Sequence, residues 1–439
     1  MQLTSSPSNV ILSNANVWSH DGQWIYYDVR SDRSGSVFDG DRIERVHVKT
    51  GEVQVVFRSQ DGACVGVVTA CPTKPQVVFI HGPENPTADW IYNAWNRRGV
   101  IVQTDQPNTV NKATNLEARN LIPPFTAGAL RGGSHVHTFS PDGKWVSFTY
   151  EDQVLAALDA DGANAIPHER NQRNIGVSVP DWPNKTGSIT VDRTHPRNHD
   201  GSHFSVLVTR TVNHPAPGSD QISKAFEEGW VGTNSNGNLP RRAIAFLGQV
   251  VAEDGRSISE VFLVDLPDDL TCPGEGPIEG TPTCRPAPPQ GVVQRRLTYT
   301  ADRMYPGIQG PRHWMRSCPD GSSIAFLMKD DAGVVQLWTV SPNGDAANKS
   351  APMQLSENPY GIASSFTWSP DGRSIAHVMD ASVCVTDALT GQTTRLTKKA
   401  DSDTAPRPEA CVFSPNGLQI AYVRTIDNRN QIFVCGMTA

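Results

Sequence analysis

The chain has 439 residues, 38% of them hydrophobic, with 36 Gly and 33 Pro, a composition that favours many short strands and turns over helices. Its formal net charge of −7, with no Lys/Arg run, argues against a nucleic-acid or anionic-membrane surface. No stretch approaches the about 18 continuous apolar residues of a membrane span, and the opening Met1-Gln2-Leu3-Thr4 lacks the basic and apolar segments of a secretory signal, so the cytoplasm is expected.

One phrase recurs along the chain: an aromatic residue, Ser-Pro, Asp or Asn, Gly, then an alternating apolar strand. The first copy is Trp18-Ser19-His20-Asp21-Gly22, followed by strands at 24–29, 44–48 and 53–57. The second has a degenerate turn at Cys71-Pro72-Thr73-Lys74, then a strand at 76–81. The third opens at Phe139-Ser140-Pro141-Asp142-Gly143. The fourth is read at His199-Asp200-Gly201-Ser202, with strands at 204–209, 243–248 and 260–265 and insertions at about 211–242 and 266–292. The first insertion holds the one plausible helix, 220–229, and its Glu227-Glu228-Gly229-Trp230 reads as a helix end or a lid. The last three copies are Ser317-Cys318-Pro319-Asp320-Gly321, Trp368-Ser369-Pro370-Asp371-Gly372 and Phe413-Ser414-Pro415-Asn416-Gly417. In each turn Pro presets φ, Asp or Asn caps with its side chain, and Gly takes the positive φ.

A lone hairpin cannot bury its face, so the recurrence implies an array. Seven units of one strand order predict an all-β fold, a seven-bladed β-propeller in one domain spanning 1–439 with a central channel. The seventh unit ends one strand short at 432–435. Gln2-Leu3-Thr4 matches the outer-strand phrases Arg296-Leu297-Thr298 and Arg395-Leu396-Thr397, so the N-terminal residues are expected to complete the last blade.

The innermost strand of each blade lines the channel, and it enters the turn phrase. Seven residues before the Asp/Asn position stand Asn14, Gly66, His135, Arg193, His313, Ser364 and Glu409; five before stand Asn16, Val68, His137, His195, Met315, Phe366 and Cys411. Positions two apart share a strand face. His135, His137, His195 and His313, with Arg193, are therefore expected to converge near one end of the channel, with Asn14, Asn16 and Glu409 opposite. Clustered imidazoles suit a first-row divalent cation, the His135/His137 pair offering two nitrogens and His313 or His195 a third; the residues alone leave Mn, Zn and Fe open. Arg193, Arg131 and Arg312 could each hold a substrate carboxylate.

The repeat resembles the TolB-type propeller repeat over nearly the whole chain. His81-Gly82-Pro83-Glu84-Asn85-Pro86, Arg131-Gly132-Gly133-Ser134-His135-Val136-His137, Glu227-Glu228-Gly229-Trp230 and Pro311-Arg312-His313-Trp314 resemble the bacterial YidR family. A more distant likeness is to the oligogalacturonate lyases, also seven-bladed propellers. That likeness implies a divalent metal, usually manganese, held at the channel mouth by three His and one Gln, and a His base acting beside the uronate carboxylate. His135 and His137 match the two His of its Gln-x-x-His-x-His phrase; Gly132 stands in place of the Gln. Carried over, the likeness gives His135, His137 and His313 as metal ligands, His195 as the base and Arg193 on the carboxylate. A metal-dependent lyase acting on a uronate or small oligosaccharide is thus the first functional reading, and a non-enzymatic binding or scaffolding propeller the second.

Overall fold

The aromatic-Ser-Pro-Asp-Gly phrase builds the same turn wherever it occurs. In the third copy Ser140 Oγ donates to Asp142 Oδ1 and accepts the Trp145 amide at 3.0 Å, while Gly143 adopts φ 69°. The Ser19/Asp21, Ser369/Asp371 and Ser414/Asn416 pairs repeat this arrangement. Each turn leads from a blade's inner strand into its second strand, and the computed structural model forms a seven-bladed β-propeller, describing residues 1–13, 16–105, 112–162, 166–180, 187–232, 242–344 and 351–437. Its sheets are antiparallel, six of four strands and one of three, with a short parallel pair, Ala118–Arg119 with Ala129–Leu130, beside them.

The aromatic of the phrase also ties one blade to the next. The indole N–H of Trp18 donates to the Val412 carbonyl at 3.0 Å, that of Trp230 to Thr138 at 2.9 Å and that of Trp368 to Arg316 at 3.0 Å. In every case the acceptor lies on the inner strand of the preceding blade.

The N-terminal residues close the ring as the repeat predicts. Leu3 donates its amide to the Ile432 carbonyl at 2.8 Å and Val434 donates to Met1 at 2.9 Å, with Gln2 opposite Phe433. Leu3 is buried in one apolar cluster with Val10 and Ile25 of the first blade and Ile432 and Val434 of the seventh. No helix among the described residues is long and apolar enough to cross a membrane.

The fourth blade differs from the sequence reading. Phe204–Leu207 is the outer strand of the third blade, paired antiparallel with Asn174–Val179. Residues 220–229 are not a helix; Ala225–Trp230 is the inner strand of the fourth blade, paired with Arg242–Val251. His199-Asp200-Gly201-Ser202 imitates the turn phrase, but Asp200 is engaged elsewhere: Oδ1 accepts the Val191 amide and Oδ2 binds Arg193. The one α-helix among the described residues, Gln153–Ala160, follows the second strand of the third blade and is capped by Asp152. Residues 267–292 do connect the third and fourth strands of the fourth blade, Ser257–Leu266 and Val293–Arg296, without a strand of their own.

Candidate functional site

Three neighbouring inner strands carry a bulge at the same height. The ladders of blades 2, 3 and 4 slip between Gly66 and Thr69, His135 and Thr138, and Phe226 and Gly229. Val67, Val136 and Glu227 sit at these slips with φ of 56°, 56° and 57°. A bulge re-aims the side chains around it, and here it sends flanking residues in different directions.

His135 lies deep at the channel mouth away from the turns, 4% exposed, and its Nδ1 has no hydrogen-bond partner. Burial, then the charges of Arg97, Arg173, His137 and Arg312, holds its pKa well below the ordinary 6.5, so the ring is neutral. Arg173 binds Glu151 at 2.8 Å, and Arg97 donates to the Tyr92 hydroxyl at 3.0 Å. Arg312 donates to Glu227 Oε1 at 2.9 Å and stacks over Trp314, its side chain 61% exposed. Lys224 faces Arg173, Glu151, Glu227 and Arg312, and burial lowers its pKa.

Two carboxyl groups complete the cluster. Glu228 accepts the Thr149 hydroxyl at 2.7 Å, and burial pushes its pKa up to about 7. Burial likewise raises Glu227, against the pull of Arg312. Glu227 Oε2 and Glu228 Oε1 are both buried without a hydrogen-bond partner. Beneath them Arg316 is brought down to about 10 by burial, opposed by the charges of Glu228 and Glu227. Arg97, Arg173, Lys224, Arg312 and Arg316 thus outnumber Glu151, Glu227 and Glu228, two of which resist ionisation. The arrangement can receive an anion, and it sets a neutral imidazole near carboxyl groups able to hold protons.

Of the residues singled out from sequence, His135 and Arg312 belong to this cluster. His137 does not share a face with His135, because the bulge at Val136 separates them. Its ring lies between blades 2 and 3 with Nε2 2.9 Å from Ser134 Oγ, and a Cβ on Gly99 would stand 2.6 Å from that nitrogen. His313 spends both ring nitrogens on backbone: Nδ1 meets the Pro311 carbonyl at 2.9 Å and Nε2 accepts the Leu327 amide at 3.1 Å. His195 and Arg193 sit on the connection before the outer strand of the third blade, away from the channel. His195 Nδ1 accepts the Arg197 amide, and Arg193 pairs with Asp200 at 2.9 Å. Arg131, 1% exposed, is bound to Asp152 at 2.8 Å and to the Thr281 carbonyl, fastening the 267–292 connection onto the third blade. Asn16 lines the channel at its turn end, and Glu409 is held by Arg407; Asn14 lies outside the described residues.

The implied metal site therefore does not assemble. Among the described residues no three His, Cys, Asp or Glu side chains gather as a metal site. His313 has no lone pair to spare while Leu327 donates to it, and His137 faces a different interface from His135.

Arg97, Arg173, Lys224 and Arg316 went unrecognised in the sequence, and Glu227 and Glu228, read there as a helix end or a lid, stand on an inner strand. One signal was present: Trp230 occupies the position of the phrase's aromatic, as its indole bond to the preceding blade shows. Counting back from it would have put Glu227 and Glu228 on the inner strand.

Comparison with known proteins agrees with this fold. The chain is 45% identical over 426 residues to an uncharacterized protein of Escherichia coli K12, YidR, covering 96% of this chain and 94% of that one. The chain belongs to the YidR family. A family model described as a protein of unknown function (DUF3748) matches residues 64–199. Among solved structures, an oligogalacturonate lyase in complex with manganese superposes with a TM-score of 0.54 at 10% identity, covering 99% of this chain and 92% of that one. A second oligogalacturonate lyase, from Vibrio parahaemolyticus, gives 0.50 at 10% identity with the same coverage, 99% and 92%. At these identities the likeness extends to the fold.

Proposed function

We propose that this YidR-family propeller binds a uronate or a short uronate-bearing oligosaccharide at the channel mouth and cleaves it by elimination. The observation that carries the reading is a buried neutral imidazole, His135, with an unpartnered nitrogen among the guanidiniums of Arg97, Arg173 and Arg312. Arg173 and Arg312 take the carboxylate, which guanidinium groups recognise in a planar, two-point fashion. Cations beside the carboxylate stabilise the charge that builds on it when the neighbouring carbon loses its proton. His135 Nδ1 accepts that proton; the freed electron pair forms the carbon–carbon double bond; the bond to the glycosidic oxygen breaks. The carboxyl of Glu228, pushed up to about 7 by burial, supplies the proton that the departing oxygen needs. A neutral base and a proton-holding acid in one site require environments that push their pKa values away from the ordinary, as burial does for His135 and Glu228.

No step of this reading passes through a metal, because His137 and His313, which the fold likeness would join to His135 around one, are engaged elsewhere. The reading carries with it a cytoplasmic location and no nucleic-acid or membrane partner, as part of the proposal.

The test is incubation of the purified protein with di- and trigalacturonate, following calorimetric binding and the ultraviolet absorbance of the unsaturated product. Binding should weaken at least about tenfold, roughly 1.4 kcal/mol, in Arg173→Ala and Arg312→Ala. His135→Ala should bind and not turn over. Binding without product in the wild type would instead favour a non-catalytic binding propeller, and absence of binding would end the uronate reading.

A further inference from the structure

The opposite end of the channel holds a chamber. It encloses about 480 Å³ and draws its walls from all seven blades, at the turn end, away from His135. Specific small-molecule sites run to roughly 300–1,000 Å³, so the chamber has the capacity of one.

Its chemistry differs from that of the mouth. Trp18, Phe139, Trp230, Trp368 and Phe413 line it. The indole N–H groups of the three tryptophans are already given to the carbonyls of Val412, Thr138 and Arg316, so these residues offer ring surface alone. A turn proline from each of five blades stiffens the rim. One permanently charged residue is among those lining it, Arg316, which also faces Glu227 and Glu228 on the mouth side.

We propose that this chamber is a binding site for a small carboxylate with an aromatic body. The ring surfaces take the apolar body by stacking and burial, and Arg316 takes the carboxylate. The lining carries one guanidinium and no second permanent cation, which suits a monoanion over a dianion such as phosphate. The proposal stands on the cavity and its lining, independently of the uronate reading of the mouth.

Indole-3-acetate and its neutral counterpart indole-3-acetamide are the probes, titrated into the full chain by ligand-observed NMR. The acid should bind saturably and at least about tenfold more tightly than the amide, and excess galacturonate should not displace it. Arg316→Met should bring the acid-to-amide ratio to about one. If that variant does not fold, the wild-type indole N–H resonances decide: those of Trp18, Trp230 and Trp368 should shift on saturation with the acid. Equal affinity for acid and amide, displacement by galacturonate, or no saturable binding of the acid would each overturn the proposal.

Discussion

His313 accepts the Leu327 backbone amide on Nε2 at 3.1 Å, and one blade further on Ser364 Oγ accepts the Val378 amide at 2.7 Å. The two pairs occupy the same register, seven residues before and seven after the turn's Asp. In blades 5 and 6 the inner strands are short, Arg316–Ser317 and Thr367–Trp368, and no ladder partner reaches this amide. A side chain takes the place of the missing strand. His313→Ala should therefore cost about 2–4 kcal/mol, the sum of an orphaned buried amide and a cavity. His313→Ser, which restores the acceptor used in blade 6, should recover about 1 kcal/mol of that. Urea denaturation measures both, and elemental analysis of the wild type and the two variants should return the same metal content. A metal present in the wild type and lost from His313→Ala would refute the structural role.

The turn phrase made the blades legible because its Ser, Asp and Gly each perform a local task that sequence spacing records. Closure by Leu3 was readable for the same reason, since an outer-strand phrase was missing at one end and present at the other. The candidate site was half legible. Register found His135, but two departures from the repeat hid the rest. The positive φ of Val136 turns His137 away from its neighbour, and nothing in the spacing reports a bulge. The fourth inner strand contains Glu227-Glu228-Gly229, which carries no strand signal, while His199-Asp200-Gly201 offers a false one. Arg97, Arg173 and Lys224 come from connections between strands, where no periodicity exists to follow.

Stability on the acid side should be governed by buried histidines. Burial lowers both His313 and His377 to about 4, below the ordinary 6.5. The unfolded chain then takes up protons first, so each contributes stability at neutral pH that is lost progressively between pH 6.5 and about 4 and not further below. His377 is enclosed, with Nε2 2.8 Å from Thr386 Oγ1. His377→Gln keeps a polar group there and removes the titration. The loss of unfolding free energy between pH 7 and pH 5 should be smaller in this variant by about 2 kcal/mol. Equal losses in variant and wild type would show that His377 is protonated in the folded protein.

Glu228 should work in the opposite sense. Its pKa is raised from 4.5 to about 7, chiefly by burial. The folded state therefore keeps a proton that the unfolded chain gives up, and stability falls as pH rises from 4.5 through about 7, then levels off. Glu228→Gln can still accept the Thr149 hydroxyl and never ionises. It should be more stable than the wild type at pH 8 by on the order of 2 kcal/mol, with the gain vanishing near pH 5. Denaturation curves at the two pH values check this; an equal effect at both would mean that the carboxyl is not titrating in that window.

Removal of residues 1–6 should open the ring. Leu3 and Met1 satisfy backbone groups of Ile432 and Val434, and Thr4 Oγ1 donates to Gln431 at 2.8 Å. Without them the strand Arg429–Gly436 becomes an unpaired sheet edge, and the apolar cluster between the first and seventh blades loses Leu3. Hydrogen bonds of this kind contribute about 1 kcal/mol each and a buried Leu about 2, so the truncated chain should be about 4–5 kcal/mol less stable. An exposed edge also pairs with its like, so size-exclusion chromatography should show concentration-dependent association that the full chain lacks. A synthetic peptide of residues 1–6 added in excess should reverse the association by taking up the vacant edge. A truncated chain that stays monomeric and melts with the full one would mean that blade 7 holds without its borrowed strand.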